Sequence, residues 1–229
     1  MFEPGGPTLA ALIRQALSST REGYDRLAPR FDHTPFRTPA ALLDAVADHL
    51  GVVDGDALDV CCGTGAGTAM LCRVATGEVV GLDFSPGMLD VARASVDAEF
   101  VLGDARTLAY DQDFDLVVSF GAFGHITVPE QPAFLEGVLR ALKPGGRFVF
   151  VTSDRPPTLN RTVLLYRAFN AVMRVRNRIR KPVFVMYYLN FLLPEATSRL
   201  LAAGFEVEVT RIEVGPFRRA VIVEARRPV

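Results

Sequence analysis

The sequence of 229 residues has few cysteines and histidines, and neither type is spaced as a metal site requires. Two of its three cysteines are adjacent, at Cys61 and Cys62. Three cysteines are too few for a disulfide framework and are typical of a reducing compartment. The three histidines are scattered at positions 33, 49 and 125, so we expect no zinc-type site. The composition therefore predicts a cytoplasmic protein without a bound metal.

Long apolar runs and a strong net charge are also missing. The most apolar stretch, 183–193, is interrupted by Asn190 and is far shorter than the ~18 residues of a spanning helix. The first seven residues contain no basic region followed by an apolar core, so we predict no secretory signal. A formal net charge of −1 gives no general reason to expect a nucleic-acid partner. We expect one soluble domain over residues 1–229, which can still touch a membrane surface.

From Asp56 onward, β-rich runs alternate with helical segments, the pattern of a parallel sheet covered on both faces. Five strands are predicted first, and the composition of 143–146 indicates a turn before the fifth. A terminal hairpin is predicted at 205–214 and 217–225. The five strands are 57–62, 78–82, 98–102, 114–119 and 147–152, and the helices are 8–17, 39–50, 67–74, 86–95, 130–142 and 194–203, with 155–181 mainly helical.

Two features at the ends of the first two strands indicate a nucleoside-containing cofactor. Residues 59–68, DVCCGTGAGT, form a glycine-rich turn into a helix, where backbone N–H groups can approach a ligand closely. About 20 residues further on, Asp83 is placed to accept hydrogen bonds from both ribose hydroxyls. The same two features describe a nicotinamide site, or a tight turn with no ligand. Thr68 stands where the dinucleotide fingerprint has a third small residue, which disfavours a dinucleotide.

Five motifs in order resemble those of the class I S-adenosylmethionine-dependent methyltransferases. The similarity extends over about residues 24–152 and continues more weakly to the C-terminus. It implies a doubly wound α/β fold with a seven-stranded, mostly parallel, Rossmann-like sheet in the order 3-2-1-4-5-7-6, the last strand being antiparallel. The motifs are 57–68, 80–89, 103–105, 114–119 and 142–147.

The resemblance also implies S-adenosylmethionine as the cofactor and assigns residues to it. Asp104 and Ser119 have an alternative interpretation as caps of a turn and a strand end. The implied contacts are Asp59, Gly63, Thr64 and Gly65 to the methionine part, Asp83 to the ribose, Phe84 and Met88 to the adenine faces, Asp104 and Ala105 to the adenine edge, and the Ser119 carbonyl to the ammonium group.

An aromatic and acidic segment lies ahead of the sheet at 24–32, YDRLAPRFD. It resembles an N-terminal segment that closes over the cofactor in many members that methylate small molecules. Tyr24 is the candidate for contact with the cofactor. The alternative is that Tyr24 and Phe31 only anchor the segment to the core. Residues 1–50 are accordingly predicted to form a helical cover.

The loop that follows the fourth strand, 119–126, is expected to face the transferred methyl group. His125 in this loop could accept a proton from a hydroxyl acceptor, and Phe123 is expected to contact the acceptor. We favour a pocket-lining role for His125. A sulfonium methyl donor is already activated, so positioning and desolvation can supply most of the catalysis.

The stretch 155–194 contains no aspartate or glutamate but eight basic residues, and aromatic residues are concentrated in its second half. We predict that 153–194 is a helical lid over a lipophilic acceptor, with Tyr187 and Phe191 contacting that acceptor. The basic residues would then face solvent or an anionic membrane. The alternative is an ordinary amphipathic helix packed on the core.

The nearest subgroup is that of the ubiquinone/menaquinone-biosynthesis C-methyltransferases, because residues 119–121 and the long insert are similar to theirs. That subgroup normally continues with an arginine–asparagine pair, where this chain has residues 122–125, AFGH. We therefore predict methyl transfer to the oxygen or carbon of a lipophilic or aromatic small molecule, which could be a natural product, a quinone or a lipid. The alternatives are a non-methylating enzyme of the same fold and a nicotinamide-dependent oxidoreductase. No nucleic-acid acceptor is expected, and the pattern predicts no oligomeric state.

Overall fold

A computed structural model describes residues 5–157, 160–215 and 217–229. Its seven strands form one sheet. The strands are β1 (Ala57–Val60), β2 (Val79–Asp83), β3 (Glu99–Leu102), β4 (Phe114–Ser119), β5 (Leu142–Ser153), β6 (Glu206–Val214) and β7 (Phe217–Arg226).

The strands lie in the order β3-β2-β1-β4-β5-β7-β6. The first five strands pair in parallel, and β7 runs antiparallel to both β5 and β6. The predicted fold class is therefore confirmed, including the order of the strands and the antiparallel last strand.

Helices cover both faces of this sheet. Within the described residues, no helix combines the length and the apolar character needed to cross a bilayer. The helices are α1 (Leu9–Leu17), α2 (Thr20–Leu27), α3 (Ala40–Leu50), α4 (Ala66–Val74), α5 (Pro86–Ser95), α6 (Gln131–Ala141), α7 (Arg161–Ile179) and α8 (Glu195–Ala202).

Strand side chains alternate between two apolar layers because successive residues of a strand point to opposite faces. Leu58 and Val60 of β1 belong to the layer that contains Phe134 of α6. Ala57 of the same strand belongs to the opposite layer, with Val46 of α3. Burial on both faces explains why the central strands are continuously apolar. Because β1 to β5 are parallel, their carboxyl ends lie at one edge of the sheet.

The start of the fifth strand differs from the prediction. β5 begins at Leu142, which pairs with Phe114, and the next matched pair is Arg147 with Leu116. The predicted turn at 143–146 is therefore an irregularity inside β5, where extra residues bulge between two paired positions.

The N-terminal segment and the insert after β5 also differ from the prediction. The segment 24–32 is helical throughout. α2 begins at Thr20 with a capping box between Ser19 and Glu22, and a 3-10 helix follows it over Ala28–His33. In the described part of the insert, only Arg161–Ile179 is a regular helix, and residues 180–193 follow it without a helix or a strand. Most of the basic residues of the insert thus lie on the helix, and most of its aromatic residues lie in the irregular segment that follows.

Candidate functional site

One cavity of about 420 Å³ opens at the carboxyl ends of β1, β2 and β4. This is the edge at which open α/β sheets bind ligands, and the volume is within the range of small-molecule sites. Its lining comes from the stretches 24–38, 59–67, 83–88, 120–125, 151–152 and 186–192.

The glycine-rich loop after β1 brings its backbone to one wall of this cavity at the glycine positions. Gly63 adopts a φ of +55°, and a Cβ there would meet no atom within 4 Å, so its backbone borders open space. Gly65, at a φ of +87°, caps the start of α4. At Gly67 a Cβ would come within 2.6 Å of an Asp59 carboxylate oxygen. The loop therefore forms a cradle that side chains would fill.

Asp59 is a buried carboxylate at the floor of the cavity. Its Oδ2 atom accepts a hydrogen bond of 2.9 Å from the Thr68 hydroxyl. Burial raises the pKa of Asp59 to about 7, the Thr68 hydrogen bond acts in the opposite direction, and the nearby charge of Asp83 adds to the rise. A cation placed beside this carboxylate would relieve the cost of burying its charge. Thr68 thus has a structural role that its position in the glycine motif did not predict.

Asp83 ends β2 and faces the same cavity. Its two oxygens accept the backbone N–H groups of Gly63 and Ser85, each at 2.9 Å. Burial raises the pKa of Asp83, and the backbone hydrogen bonds partly offset that rise. The carboxylate therefore connects the first two motif loops and keeps free acceptor capacity, since each oxygen has a second lone pair.

The residues predicted for the adenine and the ammonium group are placed less uniformly. Phe84 and Met88 line the cavity. The Asp104 carboxylate instead binds the Arg106 guanidinium at 2.6–3.1 Å, and this hydrogen bonding holds the pKa of Asp104 below its usual range. Ala105 is packed in the core beside the sheet. The Ser119 hydroxyl donates to the Val60 carbonyl, so that side chain joins two strand ends.

Two acidic residues of the N-terminal segment fasten it to the motif loops, although no role was predicted for them. Asp25 accepts hydrogen bonds from the Ser85 hydroxyl at 2.6 Å and the Gly87 backbone at 3.0 Å. Asp32 accepts one of 2.7 Å from the Thr64 hydroxyl. The spacing of these acids within 24–32 was visible in the sequence, but their partners are 32 to 62 residues away.

Tyr24 and His125, from opposite walls, meet in the cavity. The Tyr24 hydroxyl lies 2.8 Å from His125 Nε2, and His125 Nδ1 lies 2.7 Å from the Val185 carbonyl oxygen. Because a carbonyl only accepts, Nδ1 carries the proton and Nε2 accepts from Tyr24. Burial lowers the pKa of His125 and raises that of Tyr24, so both side chains are held neutral. His125 thus presents its basic nitrogen to Tyr24.

The far end of the cavity is aromatic. Phe123 and Phe191 are stacked, with ring centroids 4.0 Å apart and an angle of 4° between the planes, and both contact the ring of Phe150. Each of the stacked rings is nearly inaccessible and belongs to the main core. Two of the predicted acceptor contacts, Phe123 and Phe191, therefore line the cavity and also support the fold.

Two asparagines on the inner side of α7 hold the covering segment, which we define as residues 184–192. The Asn170 side chain bonds both the N–H and the C=O of Tyr188, at 2.9 Å each. Asn177 does the same for Phe184, at 3.0 and 2.9 Å. An amide side chain can pair with a backbone in this way because it carries both a donor and an acceptor.

The covering segment is also bonded to the loop after β4. The Tyr187 N–H donates to the Gly124 carbonyl at 2.8 Å, and the Asn190 side chain donates to the carbonyls of Phe123 and Ile126. Tyr187 itself is half-buried, with its ring 5.6 Å from the Arg174 guanidinium carbon. The predicted loop and the predicted lid thus form one wall at the aromatic end of the cavity.

Both a family model and curated proteins that match this chain are methyltransferases. A methyltransferase domain model matches residues 57–146. Demethylmenaquinone methyltransferases of Staphylococcus aureus (strain MRSA252) and Oceanobacillus iheyensis are 40% and 34% identical to the chain. The matches cover 69% and 54% of this chain, and 67% and 55% of those proteins. The chain thus matches only a little over half of the length of some of these relatives.

Solved structures share the fold. The match to the DhpI chain in its complex with SAH covers 96% of this chain and 99% of that chain, with a TM-score of 0.65 and 24% identity. Magnesium protoporphyrin IX methyltransferase from Synechocystis PCC 6803 with bound SAH covers 82% and 83%, with a TM-score of 0.57 and 17% identity. At these identities the likeness concerns the fold alone.

Proposed function

Because the chain belongs to the class I S-adenosylmethionine-dependent methyltransferases, we propose that it transfers a methyl group from this cofactor to the carbon or oxygen of a quinone-type aromatic acceptor. The printed names of the curated relatives support the quinone type. The proposal covers the described chain as one domain, with residues 5–50 and 153–194 as covers of the site.

The observation that carries this proposal is a single cavity with two unlike ends. One end has the buried carboxylates of Asp59 and Asp83 and the open backbone at Gly63. The other end has the stacked rings of Phe123 and Phe191. A charged, polar donor and a flat, apolar acceptor would each meet matching chemistry and would meet each other near Tyr24 and His125.

The residues present fit the cofactor. The Asp59 carboxylate suits an ammonium group because a cation would relieve its buried charge, and the free lone pairs of Asp83 suit two ribose hydroxyls. Phe84 and Met88 offer apolar surfaces to a flat ring. When bound, the cofactor supplies a methyl group on a positively charged sulfur, which is already activated for transfer. The chain must then position the acceptor and exclude water.

Tyr24 and His125 give the chain a route for a proton. An acceptor hydroxyl at the Tyr24 oxygen can lose its proton to that oxygen as the Tyr24 proton passes to His125 Nε2, since these atoms are 2.8 Å apart. The bond from Nδ1 to Val185 keeps the imidazole in the tautomer that this transfer needs. Methylation at a ring carbon also releases a proton, in this case from the carbon after the methyl group has been added, and the same pair can accept it.

The direct test is to incubate the protein with methyl-labelled S-adenosylmethionine and demethylmenaquinone and to analyse the lipid products by mass spectrometry. We expect a quinone product heavier by one labelled methyl group. A labelled lipid other than a quinone would contradict the acceptor class, and failure to bind the cofactor in calorimetry would contradict the activity itself.

A paired kinetic test concerns His125. If His125 lines the pocket, His125→Ala should raise the acceptor KM more than it lowers kcat. If the proton route is used in the rate-limiting step, kcat should fall by roughly 10²-fold or more, and Tyr24→Phe should show the same loss. We expect the first outcome where the proton leaves after methyl transfer, as at a ring carbon, and the second where it leaves during methyl transfer, as at a hydroxyl.

A further inference from the structure

The outward face of α7 is apolar along its length, although helices on a globular core usually turn polar residues to solvent. Leu165, Val172 and Ile179 are spaced seven residues apart, which places them on one side of the helix. The inward side is occupied by the buried residues Val163, Asn170 and Met173. We define the outer stripe as the exposed residues Leu164, Leu165, Ala168, Val172, Val175 and Ile179, whose five large members are 50–81% exposed.

Basic side chains border this stripe. Arg167, Arg174 and Arg178 are spaced by seven and four residues, so they form a row beside the outer stripe, and all three are exposed. In the part of the chain that the structure describes, no carboxylate pairs with any of the three. The row is therefore an unneutralised cationic edge next to an apolar surface.

The charge of the chain is strongly polarised toward this helix. Residues 155–194 hold eight of the 25 basic residues and none of the 26 acidic residues. The rest of the chain is left with 17 basic and 26 acidic residues. An anionic surface would repel most of the molecule and attract this one region, so the charge distribution itself would orient the protein.

From these observations we propose that the outer stripe and arginine row of α7 bind the surface of an anionic lipid bilayer. An interfacial helix needs an apolar face that enters the headgroup boundary and basic residues that meet anionic headgroups. α7 has both on its solvent side, so in the proposed contact its 19 residues would lie in the plane of the bilayer surface. A second protein surface would satisfy the stripe but would not account for the uncompensated arginines as directly.

The position of α7 gives this contact a consequence for the acceptor. The inner side of the same helix holds the covering segment through Asn170 and Asn177, and that segment lines the aromatic end of the cavity. A bilayer on the outer side would thus lie one helix away from the acceptor end. This consequence rests on the proposed function, whereas the binding of the bilayer does not.

The test is flotation of the full chain with vesicles of phosphatidylglycerol and phosphatidylcholine in equal parts, or of phosphatidylcholine alone. We expect binding to the anionic vesicles only, with no cofactor or acceptor present. Binding should fall when salt is raised from about 0.1 M to about 1 M, since the screening length shortens from about 10 Å to about 3 Å.

Two double variants separate the contributions, with matched controls elsewhere on the surface. Val172→Gln with Ile179→Gln, and Arg167→Gln with Arg178→Gln, should each weaken vesicle binding by roughly tenfold or more. The controls Val52→Gln with Leu201→Gln, and Arg73→Gln with Arg211→Gln, alter exposed residues of the same types and should bind as the wild type does. Circular dichroism and cofactor calorimetry check that every variant is folded.

Three results would overturn the proposal. The first is no binding to anionic vesicles at low salt. The second is equal loss in the variants and their controls. The third is sedimentation showing a dimer that Val172→Gln with Ile179→Gln dissociates, because the stripe would then be covered by a second copy. If vesicle binding holds but no quinone is methylated, the membrane contact stands and the proposed function fails.

Discussion

The two ends of the cavity are built in different ways. At the carboxylate end, residues close in sequence hold one another: Asp59 bonds Thr68, and Asp83 bonds Ser85 and Gly63, over two to 20 residues. At the aromatic end, the bonds join residues far apart, such as Tyr24 with His125 and Asn190 with Phe123. The first end is specified mainly by short motifs, although Asp25 and Asp32 also bind its loops from 32 to 62 residues away. The second end exists only after the chain has folded around it.

The burial of the two ends also differs in its cost. Stacked rings at the aromatic end are stabilised by leaving water, whereas buried carboxylates at the other end oppose folding because their charge is desolvated. We therefore expect substitutions at the aromatic end to act on stability first, and substitutions at the carboxylate end to improve stability while reducing binding. Four predictions test this contrast, from the largest expected effect to the smallest.

The largest effect is expected at Phe191. Phe191→Ala should lower the free energy of unfolding by about 3–5 kcal/mol, because it removes a ring packed against Phe123 and Phe150. Tyr187→Phe, in the same segment but half-buried, should change the free energy of unfolding by less than about 1.5 kcal/mol and should alter acceptor KM instead. Chemical denaturation measures both. A Phe191→Ala variant of wild-type stability would mean that this ring is not part of the core.

Asp59→Asn tests whether a substitution at the carboxylate end increases stability. Burial raises the pKa of the Asp59 carboxyl from 3.8 to about 7 in the folded protein. Between these pH values the folded state keeps a proton that the unfolded state has lost, so wild-type stability falls as pH rises through this window. The free energy of unfolding of the variant should therefore exceed that of the wild type increasingly as pH rises, by on the order of 4 kcal/mol above pH 7. The variant should also bind the cofactor more weakly.

Thermal unfolding across that pH range decides this prediction. Asp48→Asn, at an exposed position on α3, is the control and should show no comparable gain. If the Asp59→Asn variant unfolds in parallel with the wild type at every pH, burial of Asp59 does not oppose folding.

Asp83→Ala should weaken cofactor binding by about 1.5–3 kcal/mol, roughly 10- to 100-fold, since hydrogen bonds to a charged carboxylate are lost. The Gly63 loop also loses its bond to this carboxylate. Calorimetry on the folded variant gives the dissociation constant, with the exposed Asp90→Ala on α5 as the control. Unchanged affinity would remove Asp83 from the ribose site.

The smallest effect is expected from the asparagines that hold the covering segment. Asn170→Ala should cost about 1–3 kcal/mol through its two bonds to Tyr188, raise the acceptor KM, and leave cofactor affinity near the wild-type value. Arg161→Ala, exposed at the start of α7, is the control. Steady-state kinetics with each substrate varied in turn would contradict this if the cofactor KM changed as much as the acceptor KM.

The contrast between the two ends also explains what could be predicted from the sequence. The glycine loop and Asp83 were predicted because their partners lie within 20 residues along the chain, where motif spacing largely determines contact. The bond between Tyr24 and His125 spans 101 positions, and no local pattern reports it. Asp104 and Arg106 are only two positions apart, so their pairing was within reach of the sequence, but the resemblance implied a contact of Asp104 with adenine instead.

The sequence by itself determined the sheet and the end of it that binds ligands, because apolar periodicity and glycine positions act through local geometry. It also determined the acid-free, arginine-rich insert. Only the tertiary structure decided which side of α7 meets solvent, that Phe191 supports the core as well as the cavity, and that His125 is engaged by Tyr24. These are outcomes of packing, in which a side chain's role depends on neighbours that are brought together from distant parts of the chain.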